Sequence, residues 1–314
     1  MVPLYNERQT LPLFHARLCA VLDSLGRECD VLYVDDGSTD GSAEWLRDLY
    51  REDARVSFLR LSRNFGKEAA MSAGLDHAQG AAVVLIDADL QDPPELLPQL
   101  IAEWEQGFDV VYALRESRDG ESWLKRYTST LFYRLMDRLS DVPIPRDTGD
   151  FRLLSRRAVD ALAQLRERHR YMRGLYAWIG YPQKAVPYAR EARAGGSSKW
   201  SYWRLWNLAL EGITSFSAAP LKLATWLGTI TSIAAFSYGI FFLLRTVLLG
   251  NPVPGYPSLI IIVLFLGGVQ LVCLGIIGEY LARTYNESKG RQLYFVQDYL
   301  CSEKRPAGEA PVDR

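Results

Sequence analysis

The chain has 314 residues, 48% hydrophobic and 23% charged, with a formal net charge of −1 and a mean hydropathy of −0.07. Near-neutral charge without a basic block excludes nucleic acid as the main partner. Gly and Pro, 24 and 15 residues, are too few for a fibrous or disordered chain. These averages conceal an uneven distribution. Leu223 to Gly278 holds one charged residue, Arg245, where the chain-wide rate would place about 13. The expected organisation is a soluble domain with an appended membrane anchor.

Cys19, Cys29, Cys273 and Cys301 form no CxxC pair, and His15, His77 and His169 are scattered. Reduced thiols are expected, and no Cys/His zinc site. Met1 is followed at once by polar Tyr5-Asn6-Glu7-Arg8, which predicts no signal peptide and a cytoplasmic soluble part. Met1 to Glu7 also reads as the last turn of a first strand without its body, so either the start lies several codons upstream or the strand is truncated.

Apolar bursts then alternate with helical periodicity. Val31–Val34, Val56–Leu61, Ala81–Ile86 and Asp109–Ala113 read as strands, and Leu11–Leu25, Ser42–Arg51, Lys67–Gln79 and Pro94–Gln106 as helices. Short, continuously apolar strands between helices predict a parallel sheet covered on both faces. From Glu121 to Leu139 the spacing of Trp123, Leu124, Tyr127, Leu131, Leu135 and Leu139 predicts an amphipathic helix with a basic side. It either packs on the sheet or lies on a membrane surface. Trp200, Tyr202, Trp203 and Trp206 suit an interfacial belt.

Leu223–Leu244 and Leu259–Gly278 are each long enough to cross about 30 Å of hydrocarbon. Arg190, Arg193, Lys199, Arg204 and Lys222 precede the pair, and Arg283, Lys289 and Arg291 follow it. The positive-inside rule then puts both ends of the hairpin in the cytoplasm. The tail from Ser302 is expected to be disordered.

Three stretches carry candidate chemistry. Asp87-Ala88-Asp89 ends a strand, where residues two apart face the same way and their carboxylates meet. Two such carboxylates repel unless a cation shares them; oxygen ligands select Mg²⁺ or Mn²⁺, and Gln91 adds a third oxygen. Asp35-Asp36-Gly37-Ser38 opens a turn into a helix that Asp40 or Ser42 would cap. Arg63-Asn64-Phe65-Gly66-Lys67 sits at a strand-to-helix junction suited to phosphate, yet matches neither a Walker loop nor GxGxxG.

In order along the chain, Pro3-Leu-Tyr-Asn-Glu7, VDDGSTDGS at 34–42, RNFGKEAA at 63–70, DADLQDPPE at 87–95, DTGDFRLLSRRAV at 147–159 and GGSSKW at 195–200 resemble the family 2 glycosyltransferases of the GT-A fold. The subgroup they resemble is the polyisoprenyl-phosphate glycosyltransferases, which include dolichol-phosphate mannose synthase and the bactoprenol glucosyltransferases. The resemblance implies that Pro3, Tyr5, Glu7, Asp36, Lys67, Asp87 and Asp89 bind the nucleotide sugar, and that Asp89 and Gln91 hold Mg²⁺ or Mn²⁺. It implies catalytic roles for Asp150, Arg152 and Lys199, and an acceptor-phosphate site at Arg193, Ser198 and Lys199. Asp150 would be a catalytic base or an orienting group: a lipid monophosphate, with its second pKa of about 6, is already mostly a dianion at pH 7.

The expected architecture is α/β: a GT-A-like nucleotide-sugar-binding domain over 1–198, an interfacial helix over 199–220, a transmembrane hairpin over 221–284 with spans at 221–246 and 258–282, and a cytoplasmic tail over 285–314. The resemblance implies an inverting hexosyltransferase of the inner membrane, acting on a polyprenyl phosphate lipid from a nucleotide sugar. Glucose from UDP-glucose is the first choice, and GDP-mannose or a UDP-aminoarabinose derivative the alternative. A processive synthase would carry a Gln-x-x-Arg-Trp segment and more spans, and a nucleotidyltransferase a Gly-rich loop after its first strand; a scaffold of the same fold would not need these acids together. Small residues in the spans, such as Gly228, Gly239, Gly267 and Gly268, permit packing within the hairpin or into a homo-oligomer.

Overall fold

Residues 1–115, 148–168, 170–188, 219–249 and 255–302 are described by the computed structural model. The amphipathic segment 121–139, the Trp-rich segment 200–216, Arg193, Ser198, Lys199, the 198/199 boundary and the tail beyond Ser302 lie outside the described residues.

Strand β1 (Val2–Leu4) is followed by α1 (Leu11–Leu25), β2 (Val31–Asp35), α2 (Ser42–Glu52), β3 (Val56–Leu61), α3 (Lys67–His77) and β4 (Ala82–Leu85). After a 3-10 turn come α4 (Leu97–Glu105), β5 (Val110–Arg115) and β6 (Thr148–Ser155), then α5 (Arg156–Gln164), α6 (Met172–Trp178) and β7 (Gln183–Tyr188). The membrane-length helices α7 (Ala219–Leu249) and α8 (Tyr256–Ser288) precede β8 (Val296–Leu300). Helix α1 shows the logic of these boundaries. Leu11, Phe14 and Leu18 recur at three- and four-residue spacing and are buried, Pro12 occupies the first turn, and Gly26 ends the helix at φ +60°.

The strands form two four-stranded ladders, β1-β2-β3-β8 and β4-β6-β5-β7. Met1 links them: its ammonium donates to the Val84 carbonyl at 2.8 Å, and its own carbonyl accepts from Ile86 N at 3.2 Å. Successive strand residues face opposite layers. Tyr33, Phe58 and Leu153 pack with Phe14, Leu46 and Leu100 of α1, α2 and α4. Val34, Leu59 and Leu154 pack with Met71, Leu162 and Met172 of α3, α5 and α6.

Two sequence expectations need correction. The sheet is mixed rather than parallel: β1, β2 and β3 run parallel, but β6 is antiparallel to both β4 and β5, and β8 to β3. Coverage on both faces makes strands apolar whatever their direction, so the pattern could not report it. The stretch 285–314 is not all tail, because residues 296–300 form β8 at the edge of the first ladder.

Helices α7 and α8 invert the burial seen elsewhere. Phe236, Leu248 and Leu249 are 74%, 77% and 78% exposed. Leu221–Leu249 and Ile261–Ser288 are long and apolar enough to cross a membrane; 29 residues of helix span about 43 Å. The helices touch near Ala224, whose carbonyl lies 3.6 Å from Cys273 Sγ.

Candidate active site

Ligands of α/β sheets bind beyond the carboxyl ends of the strands, and four such ends meet here. After β2 the chain must turn sharply beneath the loop that follows β3. Gly37 makes this possible: its φ is +71°, and a Cβ there would lie 2.6 Å from the Arg63 carbonyl carbon. Asp36 then accepts hydrogen bonds from Phe65 N (2.7 Å) and Gly66 N (2.9 Å). Both oxygens of Asp36 thus shape the RNFGK loop, while burial pushes its carboxyl up against the pull of those two amides.

The loop after β1 is stitched to the same turn. Asn6 N donates to Ser38 Oγ, Glu7 N to Ser42 Oγ and Arg8 N to Asp40 Oδ2, while Thr39 N donates to Asn6 Oδ1. The cap position of α2 is Gly41 rather than Asp40 or Ser42, and Asp40 accepts from Ser42 N instead. Of the residues read as nucleotide contacts here, Pro3 is buried opposite Val34, Tyr5 is 45% exposed, and Glu7 accepts from the Thr10 hydroxyl at 2.8 Å.

The second half of the sheet contributes charge. Lys67, the first residue of α3, reaches across the sheet edge and donates to Asp87 Oδ2 and Asp150 Oδ2, both at 2.7 Å. Burial alone would lower the Lys67 ammonium, but the two carboxylates outweigh it and hold its pKa well above the ordinary lysine value. Burial pushes Asp87 up, against the pull of Lys67 and with the added repulsion of Asp150. Asp150 moves the opposite way: Lys67 and Arg173, whose Nε lies 3.4 Å from Oδ1, overcome its burial and hold it far below the usual carboxylate range.

Asp87 and Asp89 lie beyond the strand proper, since β4 ends at Leu85 and residues 88–89 form a turn. The alternation persists through that turn: Ala88 and Leu90 are buried, whereas Asp87 and Asp89 are half-buried. Asp89 Oδ1 accepts from Gln91 N at 3.1 Å. Buried Asp92 accepts from the Tyr188 hydroxyl at 2.6 Å and pins the turn to the end of β7. Carboxylates are the oxygen ligands a hard divalent ion takes, but Asp87 is paired with Lys67 and Gln91 meets Asp89 through its backbone N–H.

Arg152 is 3% exposed. Its guanidinium lies 3.7 Å over the Tyr176 ring and donates to the Gly149 carbonyl at 2.7 Å, so it stands beneath Asp150 rather than open to a phosphate. Three residues of this cluster carried no signal in the sequence: Glu68, Arg173 and Tyr176. Glu68 reads as an ordinary acid in the first turn of α3. Burial, reinforced by Asp150, pushes it up to about 8, and its Oε2 accepts from Met172 N. The whole cluster sets Lys67, Arg152 and Arg173 against Asp87, Asp150 and Glu68.

A charged floor thus closes the strand ends of a mixed α/β sheet, in a chain that also carries two membrane-length helices. Residues 1–163 match the model of glycosyl transferase family 2, and residues 219–284 match that of the GtrB C-terminal hairpin. The chain is 51% identical over 306 residues to an uncharacterized glycosyltransferase of Synechocystis, sll0501, covering 98% of this chain and 96% of that one. It is 44% identical over 298 residues to the bactoprenol glucosyl transferase of Shigella phage SfV, with 95% and 97% covered. It is 42% identical over 297 residues to the prophage bactoprenol glucosyl transferase homolog of Escherichia coli K12, again with 95% and 97% covered. The chain belongs to glycosyltransferase family 2.

Proposed function

We propose that this glycosyltransferase moves glucose from UDP-glucose to undecaprenyl phosphate at the cytoplasmic face of the inner membrane, with inversion at the anomeric carbon. An oxygen of the lipid phosphate attacks that carbon, the bond to the diphosphate breaks, and UDP leaves. The product is a polyprenyl-phosphate sugar for cell-envelope glycan modification. What carries this reading is end-to-end similarity, hairpin included, to two proteins named for bactoprenol glucosyl transfer. The hairpin supports it physically, because it holds the site at the depth where a lipid-borne phosphate emerges and so raises its effective concentration.

On this reading residues 1–198 are the catalytic domain and 199–220 the interfacial helix, with Arg193, Ser198 and Lys199 facing the acceptor phosphate. Tyr5, Glu7 and Asp87 lie along the nucleotide sugar, with Asp36 shaping the loop beside it. Asp89 and Gln91 would hold Mg²⁺ or Mn²⁺, which when bound neutralises charge on the leaving diphosphate. Asp150 is a positioning group. Lys67 and Arg173 leave its carboxylate little basicity, and a phosphate dianion has no proton to give up.

Membranes containing the protein, incubated with radiolabelled UDP-glucose, GDP-mannose and a UDP-aminoarabinose derivative, test the reading. Label should enter the lipid fraction from UDP-glucose; no lipid label from any donor overturns the acceptor assignment. For the membrane face, a cysteine placed at Asn251 should react with an impermeant thiol reagent outside intact cells, and one at Ser302 should not. The reverse pattern puts the site on the other face.

A further inference from the structure

The carboxylate of Asp150 is held from two sides by unlike cations. Lys67 Nζ donates to Oδ2 at 2.7 Å and is shared with Asp87. Arg173 Nε donates to Oδ1 at 3.4 Å. A lysine carries its charge on a flexible stem, whereas a guanidinium is a planar fork that loses less freedom when it pairs. Lys67 can therefore follow an anion that enters the site. Arg173 is the contact that stays with Asp150 when it does.

Arg173 is itself fixed from behind. It lies in the first turn of α6, three residues before Tyr176, whose ring takes the Arg152 guanidinium at 3.7 Å. Residues three apart share a helix face, and Asp150 and Arg152, two apart on β6, share a strand face. Helix α6 thus meets the end of β6 twice. The residues leading into it are tied down. Arg170, 6% exposed, donates to the Leu165 carbonyl at 2.6 Å, and buried Met172 donates its N–H to Glu68 Oε2 at 3.3 Å. Glu68 follows Lys67 in the first turn of α3. One helix start therefore controls both contacts on Asp150, directly through Lys67 and indirectly through Glu68, Met172 and Arg173. Burial, with Asp150 nearby, pushes Glu68 up to about 8, so near pH 7 it is mostly neutral and leaves the charge of Arg173 to Asp150.

We propose that Arg173 is a positioning residue that fixes the Asp150 carboxylate, and that Glu68 is a second one, acting on Arg173 through the Met172 backbone. The proposal rests on the reading of Asp150 as a group the transfer needs. Its mechanical content is that Asp150 keeps its orientation while Lys67 changes partners.

A double-mutant cycle on the full-length protein in membranes tests it, with lipid labelling from UDP-glucose as the readout. Arg173→Gln should lower kcat about 10-fold and leave KM for the donor within about threefold. On an Asp150→Asn background the same change should cost less than about threefold, because the group it acts through is already gone. A full loss on both backgrounds overturns the proposal, since Arg173 would then act on the substrate itself. Glu68→Leu should lower kcat about fivefold, and Glu68→Gln, which keeps an acceptor for Met172 N, should restore most of it. Equal losses in the two overturn the role of Glu68. Where Glu68→Leu fails to fold, Glu68→Asp, whose acceptor is withdrawn by one methylene, takes its place with the same expectation. Arg166 pairs with Asp76 at the other end of α3, at 2.8 Å. Arg166→Gln should leave kcat within about twofold; a loss as large as that of Arg173→Gln would mean general loosening and overturn the proposal. Full activity of Asp150→Asn removes the underlying reading of Asp150, whereas a loss there with none at Arg173→Gln overturns this proposal alone.

Discussion

Along one edge of the sheet, two adjacent stretches hold their acids by different means. After β2, Asp36 and Asp40 accept from backbone N–H groups of neighbouring loops. Across the ends of β4 and β6, Asp87 and Asp150 accept from the side chain of Lys67. A backbone donor can leave only if the loop unfolds, so the first stretch fixes shape. A lysine is held by three rotatable donors on a flexible stem, and it can be handed from carboxylates to an incoming anion. The difference separates a scaffold from a charge store, although both are written with the same residue type.

Substitutions should therefore divide by kind of damage as well as by size. The largest loss is expected at Asp89→Ala, about 10³-fold in kcat, because it removes charge from the turn proposed to hold the ion. Chelation should do the same, reversed by Mg²⁺ or Mn²⁺, and full activity in excess chelator would sink the metal assignment. Asp150→Asn should cost about 10²-fold, nearly independently of pH, because what it removes is geometric. Were Asp150 a base, the loss would be greatest at low pH, where the acceptor still carries a proton. The mutant would then approach the unmodified enzyme above about pH 7.5. A pH–rate profile separates the two.

Asp36→Asn should behave as a scaffold lesion. Its amide turns a donor toward Phe65 N or Gly66 N and leaves one buried N–H unpaired, at about 1–3 kcal/mol. The thermal midpoint should fall and KM for the nucleotide sugar rise, with kcat changed only about twofold. A drop in kcat as large as that of Asp150→Asn, at unchanged stability, would erase the distinction between the stretches. The smallest effect is expected at Glu68→Gln. Glu68 titrates at about 8 in the folded chain against an ordinary 4.5. Between those values the native state keeps a proton the unfolded state has lost, so stability declines as pH rises from about 4.5 to about 8. Glutamine imitates the protonated form, and its midpoint should draw ahead of the unmodified protein as pH goes from 5 to 8. A constant gap would contradict this.

Local pattern made much of this legible. The limits of α1 and β3 follow the sequence reading residue for residue, since apolar spacing and an αL glycine mark them. Strand order did not follow, because β6 inserts between β4 and β5 by long-range pairing that no periodicity encodes. The site residues were visible as motifs, yet their partners were not. The motif around Asp36 gave no sign that its carboxylate accepts from two amides of the next loop, nor that Arg173 comes from another helix to meet Asp150.

β8 carries a consequence for the order of assembly. It pairs with β3 across more than 230 positions, Phe58 with Leu300, and Arg47 meets Asp298 across the same gap. Both apolar helices lie between these partners in the chain. As the polypeptide leaves the ribosome, the outer edge of β3 therefore waits, with unpaired N–H and C=O groups, until the hairpin has been made. An open edge of that kind invites pairing with other chains, and late non-local contacts are slow to form. On the membrane reading proposed above, insertion of α7 and α8 would shorten the wait by bringing 296–300 back beside the sheet it completes. Nascent chains halted after Leu249 should thus be more prone to self-association than chains halted after Ser302, because the strand that closes their edge does not yet exist.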